Sequence, residues 1–317
     1  MHYSSLVHTH RTSSNNTSIL NYIQHIEVHL GDEPFECGIL ERFSYCTSLV
    51  SLSIVVTNQA LKIIHSLDAQ LASMCHQLYV WGYYASSLSR FELRSEGSRH
   101  RNPVYVKLST MLQMLSHLPC LKSLLIDDGF GLEFRDDGLD SIPFDPQKLR
   151  DVALHGNSFP AAILALPSIP NLTSLKLHGC NLDDKCIQEY FQRAGGSLET
   201  LLLNRFSTNE PAVKSALEHT STNLRDFTLE TGHPGDMLYA LPLLPPSSDW
   251  NSITLSIGSS FRDEVPWTEL DAALANDRFR SLRKFRSASG SWDNRRTEKP
   301  KNRDFGDGGV LPSGTNK

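Results

Sequence analysis

The sequence predicts an α/β solenoid, a coil with a parallel sheet on its inner side and helices on its outer side. Three observations predict it. Apolar residues recur at fixed offsets, as in Leu172, Leu175, Leu177 and Leu182, with the small polar Cys180 between the last two. The first slot of this pattern falls at Ile23, Leu49, Leu88, Leu121, Leu149, Leu172, Leu198, Leu224, Trp250 and Leu282, and the interval is 26 residues three times running from Leu172 to Trp250. A polar residue stands directly before the first slot in that stretch: Asn171, Ser197, Asn223 and Asp249. A unit this short cannot bury its apolar side alone, so regular recurrence means stacked units rather than one closed core.

Within residues 171–182 the spacing reads L-x-x-L-x-L-x-x-C-x-L, the leucine-rich-repeat signature. Alternate side chains of a strand share a face, so Leu175 and Leu177 point inward while Ser174, Lys176 and His178 point to the open side. Cys180 sits where the chain turns inward and can bond backbone that would otherwise be unpaired. Asp183 or Asp184 can cap a following helix, whose apolar stripe is Ile187, Tyr190, Phe191 and Ala194. Gly195 and Gly196 can end that helix. A second full match runs from Leu149 to Phe159, with Asn157 in the turn slot. The predicted fold is thus a leucine-rich-repeat solenoid, a horseshoe of about ten repeats with a concave parallel sheet and convex helices.

Taken in order, residues 1–18 are polar and read as a disordered N-terminal segment. The repeat domain spans 19–287. Asp32-Glu-Pro34 opens a helix with Phe35, Ile39, Leu40 and Phe43 on its buried side. A longer helix is expected over about 58–78, where Leu61, Ile64, Leu67, Leu71, Met74 and Leu78 recur at helical spacing. The loop over 94–101 is basic, a helix is expected near 104–117, and 127–140 reads as an acidic loop. Pro234, Pro242, Pro245 and Pro246 predict an irregular segment over 232–248. Residues 267–274 are the last good helix. The tenth strand is weak because Ser287 fills an apolar slot, and 288–317 read as a disordered tail.

Composition narrows the function classes. A net charge of −5 argues against an electrostatic nucleic-acid binder. Apolar stretches are interrupted well short of a membrane span, and residues 1–6 lack a secretory apolar core, so an intracellular, cytoplasmic or nuclear location is expected. The six cysteines form no C-x-x-C pair and read as buried thiols and turn residues. Phosphate-loop, zinc-protease and nucleophile-elbow motifs are absent, Gly129-Phe-Gly131 lacks the rest of a dinucleotide fingerprint, and residues 136–140 lack the alternating ligands of a calcium loop. No catalytic residue, cofactor or metal site is therefore expected.

The open face of the sheet holds the candidate site. Arg90, Arg94, Asp127, Asp151, His155, Lys176, His178, Asn204 and Glu230 share the outward register and form the expected partner-binding surface, with the basic loop at its margin. His155 and His178 fill the same slot of adjacent repeats, which places them ~5 Å apart. Two imidazoles alone make a poor metal site.

Residues 18–28, Leu172 to Leu182, and Trp267 to Leu274 with Phe279-Arg-Ser-Leu282 resemble the leucine-rich-repeat part of fungal F-box proteins, over about 19–287. In that family an N-terminal helical module docks on a ubiquitin-ligase adaptor and the repeats hold the substrate. Residues 1–18 are too short for the module, so the resemblance implies partner binding, with a ubiquitin-ligase complex as the expected setting and the module expected upstream. The expected function is a non-enzymatic protein-interaction scaffold. Its rivals are a regulator of an enzyme, such as a GTPase activator, and a truncated gene product without a binding role. Both ends are expected to expose apolar surface, since residues 1–18 cannot cover Ile23, Ile26 and Val28 and the tail lacks cap character.

Overall fold

A computed structural model of the chain describes residues 23–30, 46, 48–56, 87–95, 104–127, 130–133, 148–156, 162–166, 169, 172–180, 185–204, 214, 216–220, 222–232, 234–246, 249–258 and 265–290. Ten strands form one open, parallel sheet: β1 (His25–Leu30), β2 (Ser51–Val56), β3 (Arg90–Ser95), β5 (Ser123–Ile126), β7 (Asp151–His155), β8 (Ser174–His178), β9 (Thr200–Asn204), β10 (Asp226–Thr231), β11 (Ser252–Gly258) and β12 (Lys284–Gly290). They lie side by side in sequence order, and each begins two residues after its predicted first slot. Right-handed parallel crossovers connect neighbours in such a sheet, so a segment must return across one side between every pair of strands.

The alternation that predicts the strands also sets the layer they cover. In this sheet, the two inward residues of each strand from β2 to β11, such as Leu175 and Leu177, Leu201 and Leu203, Phe227 and Leu229, are at most 1 % exposed. First-slot residues Leu49, Leu88, Leu149, Leu172, Leu198, Leu224 and Trp250 are fully buried beside them. Each such side chain contributes ~1.5–3 kcal/mol by leaving water, which makes a one-residue slip of register prohibitive.

Backbone pairing begins before the strands do. The carbonyl of Arg150 accepts from the N–H groups of both Thr173 and Ser174, at 2.9 and 3.0 Å. The same doubly accepting carbonyl recurs at Gln24, Val50, Ser89, Lys122, Thr173, Glu199 and Arg225, so the approach to each strand is stitched to the repeat before it. Side chains before the first slot add to this. The Ser197 hydroxyl donates to the carbonyls of Leu172 and Ala194, Ser87 donates to Leu49, and Asn223 donates to Gly196.

Helices α1 (Leu108–Ser116), α2 (Ala162–Ala165), α3 (Lys185–Ala194), α4 (Pro234–Leu243) and α5 (Trp267–Leu274) lie between strands. The stripe expected on α3 is buried as predicted: Ile187, Tyr190, Phe191 and Ala194. After α3 a short 3-10 turn covers Gly195–Ser197. A Cβ on Gly195 would stand 2.9 Å from the carbonyl oxygen of His219, so the approach of the next segment requires glycine there. Cys180 is buried, and its thiol lies 3.5 Å from the carbonyl of Leu154, as the turn slot requires.

The structure corrects several expectations. Residues 104–107 form a strand, β4 (Val104–Lys107), rather than the first turn of a helix, and α1 starts only at Leu108. β4 pairs in parallel with β6 (Phe130–Glu133), inside the stretch expected to be an acidic loop, and the two make a separate small sheet. β-branched Val104 and Val106 around Tyr105 favour the extended form. The segment expected to be irregular contains α4. Pro234 occupies its first position, where the missing N–H costs nothing, and Pro242 falls in its last turn. β12 runs to Gly290, three residues past the expected boundary at 287, because its backbone pairs in register with β11 from Lys284 to Gly290 whatever fills the slot at Ser287. Ile26 and Val28 are only 7 % exposed, so the N-terminal end is not bare there, whereas Phe285 on the last strand is 37 % exposed. The N-terminal segment, the helices expected at 35–43 and 58–78, most of the basic loop, Asn157 and the tail from 291 lie outside the described residues.

Candidate functional site

The strand register fixes which side chains share the open face. Three rows cross the sheet. The first contains Arg90, Ser123, Asp151, Ser174, Thr200 and Asp226. The second contains Glu92, Leu125, Ala153, Lys176, Leu202 and Thr228. The third contains His155, His178, Asn204 and Glu230 in direct register. Asp127 follows β5 and extends the third row, because its N–H still bonds the carbonyl of Leu93 on β3. Arg94 continues the row on β3, in register with Val55 of β2 and His29 of β1, and its side chain pairs with Glu92 of its own strand.

All nine predicted residues therefore stand on one face, but not as one even polar surface. Leu125, Ala153 and Leu202 make the middle row apolar on either side of Lys176. Asp151 and Arg90 lie across that row from the histidines. Four of the nine come into contact as a band over four successive strands and their connections: Asp127, His155, His178 and Asn204.

The band has defined geometry. His155 Nδ1 lies 3.4 Å from Asp127 Oδ1. The rings of His155 and His178 stack with centroids 4.1 Å apart and planes tilted by 35°. The Asn204 amide nitrogen donates to His178 Nδ1 at 3.1 Å, while Asn204 Oδ1 is buried and meets no hydrogen-bond donor. Lys176 is exposed, and its neighbours in the middle row, Leu125, Ala153 and Leu202, are half-buried. Such a band can accept or donate hydrogen bonds at the imidazoles and hold charge at Asp127 and Lys176. Among the described residues no group of three or more His, Cys, Asp and Glu is placed to hold a metal ion.

The turn behind the histidines supplies what the sequence reading missed. Gly156 and Gly179 directly follow His155 and His178 and have φ of 102° and 67°. Their N–H groups donate across to the carbonyls of His178 and Asn204, both at 2.6 Å. Two glycines in left-handed conformations thus stack in adjacent repeats and lock the ends of β7 and β8. The signal was the repeated Leu-His-Gly at 154–156 and 177–179.

Elsewhere, burial pushes the Cys46 thiol up from its ordinary range, and Cys46, Cys120, Cys180 and Cys186 are free thiols. Among the described residues no helix is long and apolar enough to cross a membrane. No protein-family model matches the chain, and no curated protein matches it either.

Proposed function

We propose that the chain is a leucine-rich-repeat solenoid, a horseshoe of about ten repeats, that acts as a non-enzymatic scaffold binding a protein partner on the open face of its sheet. The observation that carries this reading is the row through Asp127, His155, His178, Asn204 and Glu230: hydrogen-bonding side chains held in register on strands whose opposite face is fully buried. A face so held is preformed, so association need not order the chain, and little of the interaction is spent on immobilising it. The mixture of charged, imidazole and amide groups around the apolar Leu125, Ala153 and Leu202 has the composition of a recognition surface, where a few residues carry most of the energy. The resemblance to the repeat part of F-box proteins supports a ubiquitination substrate, or a ligase complex, as the partner.

The test is affinity purification with mass spectrometry of the wild-type chain and of the triple variant His155→Ala, Lys176→Ala and His178→Ala. The reading expects partners, ubiquitin-ligase adaptors among them, that are lost from the variant while its thermal transition is retained. Identical partner sets for the two chains would remove this face from consideration.

A further inference from the structure

We propose that the outer edge of β12 takes an acidic, extended segment of a partner protein as a further strand of the sheet, with carboxylate side chains against Lys284 and Arg286. This surface lies at the end of the sheet, apart from the band of histidines, and does not rest on the reading of the open face.

The two edges of the sheet differ. On β1 the inward Ile26 and Val28 are buried, although no strand of the sheet lies beyond them. On β12 the inward Phe285 stands beside the fully buried Ile253 and yet is exposed. Among the described residues no strand pairs with the outer side of β12. Such an edge is a template for another strand. The ladder shows which groups it offers. The N–H of Asp127 bonds the carbonyl of Leu93, and those of Gly156 and Gly179 bond the carbonyls of His178 and Asn204. Backbone groups of inward register therefore point toward the following strand, and those of outward register toward the preceding one. On β12 the inward register falls on Phe285, Ser287 and Ser289, in line with Ile253, Leu255 and Ile257. Their N–H and C=O groups are the ones the outer edge presents.

Charge states what the added strand carries. Residues 278–290 contain five basic residues and no acidic one. Arg278 is engaged with the carbonyls of Pro242 and Leu244, and Arg283 pairs with Asp249. Lys284 and Arg286 on β12, and Arg280 before it, are exposed. Lys284 and Arg286 hold the outward register, where β11 places the uncharged Ser252 and Thr254 beside them. Asp271 and Asp277 lie on α5 and the turn after it rather than on the sheet. Acidic residues at alternate positions of an added strand would stand opposite Lys284 and Arg286, and the apolar residue between them would cover Phe285.

A second copy of the chain fits less well. A head-to-tail copy would have to offer β1, whose inward residues are already buried. A two-fold copy that covers Phe285 with its own mate puts Lys284 opposite Arg286 of the other copy, like charge against like charge.

The experiment uses the full chain and acetylated, amidated peptides of seven residues, the length of β12. One alternates glutamate with valine, one alternates glutamine with valine, and one has the first peptide's composition with its glutamates in a single run. Fluorescence anisotropy reads binding, and amide hydrogen exchange reads its place. The alternating glutamate peptide is expected to bind ~10-fold tighter than either control and to weaken as salt rises. It should slow exchange at the amides of Phe285, Ser287 and Ser289 more than at those of β1. Ser287→Pro removes a donor from the outer edge alone, a position where proline is tolerated, so it should abolish binding with the thermal transition retained. Lys284→Glu with Arg286→Glu keeps every backbone group and should turn the preference toward a peptide alternating lysine with valine. If Ser287→Pro loses its transition, the charge-reversed pair decides alone. Equal binding of the glutamate and glutamine peptides, full binding by a folded Ser287→Pro chain, an unchanged preference after charge reversal, or protection confined to other strands would overturn the proposal. So would slow exchange at Ser287 before any peptide is added: in a monomer another segment of this chain would hold the edge, and in a dimer a second copy would.

Discussion

Tyr190 shows how one residue ties an outer helix to the strand that precedes it. Its ring is buried on α3, and its hydroxyl oxygen accepts from the N–H of Leu172 at 3.1 Å, just before β8. Burial pushes its pKa up to about 12, against the opposing pull of the Leu172 bond and the Arg193 charge. The folded chain thus holds a proton that the unfolded chain loses near pH 10. Stability from this group is complete below about pH 10 and is lost as the pH rises toward about 12. Tyr190→Phe keeps the ring but orphans the Leu172 N–H, so it should cost ~1–3 kcal/mol in urea unfolding at neutral pH and should flatten the alkaline loss measured for the wild type. Gly179 offers a second residue-scale test. A Cβ there would meet nothing closer than 3.9 Å, so the cost of Gly179→Ala is conformational, ~1–2 kcal/mol for an L-residue at φ 67°. A larger loss would mean that the His178 turn carries packing the geometry does not show.

Among the elements, arginines clamp one outer segment to the next. The Arg193 guanidinium on α3 donates to the carbonyls of Leu164 and Leu166, at 3.0 and 3.2 Å, at the C-terminal end of α2. Arg278 does the same for α4, donating to the carbonyls of Pro242 and Leu244. Both satisfy carbonyls that a helix leaves unpaired at its end, and both bring positive charge to the negative end of the dipole. Since α2 has only four residues, it depends on this clamp more than a long helix would. Arg193→Met retains the aliphatic stem and removes the donors. It should speed amide hydrogen exchange over 162–169 several-fold more than over β8, and exchange that is unaltered at 162–169 would argue against the clamp. The prolines teach a related lesson about position. Pro234 and Pro242 read as breakers by composition, yet Pro234 opens α4 at no cost and Pro242, inside its last turn, removes only one helical hydrogen bond.

For the whole molecule, stability is expected to follow distance along the sheet. Each strand of the sheet pairs only with its sequence neighbours, so a defect is felt first by adjacent repeats. Leu201→Ala on β9 should cost ~2–5 kcal/mol, with hydrogen exchange rising in β8 and β10 before β2. Phe285 has the matching inward register on β12, opposite Ile253, but is 37 % exposed. Phe285→Ser should cost less, ~1–2 kcal/mol, because part of the ring is already in water. Equal costs at the two positions would contradict a neighbour-coupled sheet. The ladder Arg225–Asp249–Arg283 spans three repeats on the surface at 3.5 Å per pair. Its partners are more than half exposed, so each pair is worth at most ~1 kcal/mol, and salt should alter the unfolding midpoint little.

The buried layer of the sheet is legible in the residue pattern. The apolar slots from Ile23 to Leu282 placed all ten strands of the sheet, their parallel order and the face each side chain takes, because a period of two allows only one arrangement that buries Leu175, Leu201 and Phe227 together. It also determined that His155 and His178 are neighbours, since equal slots in adjacent repeats are cross-strand partners. The remainder follows from packing between distant segments. The pairing of β4 with β6 joins segments of weak pattern through a contact that no local propensity encodes. The helix at Pro234–Leu243 depends on where its prolines fall relative to the packed Met237, Ala240 and Leu241. The separation of the nine candidate residues into a touching band and outlying charges is settled by side-chain rotamers and by the left-handed turns at Gly156 and Gly179. Register states which residues share a face. Contact between them depends on distances of a few tenths of an ångström, which only the packed chain sets.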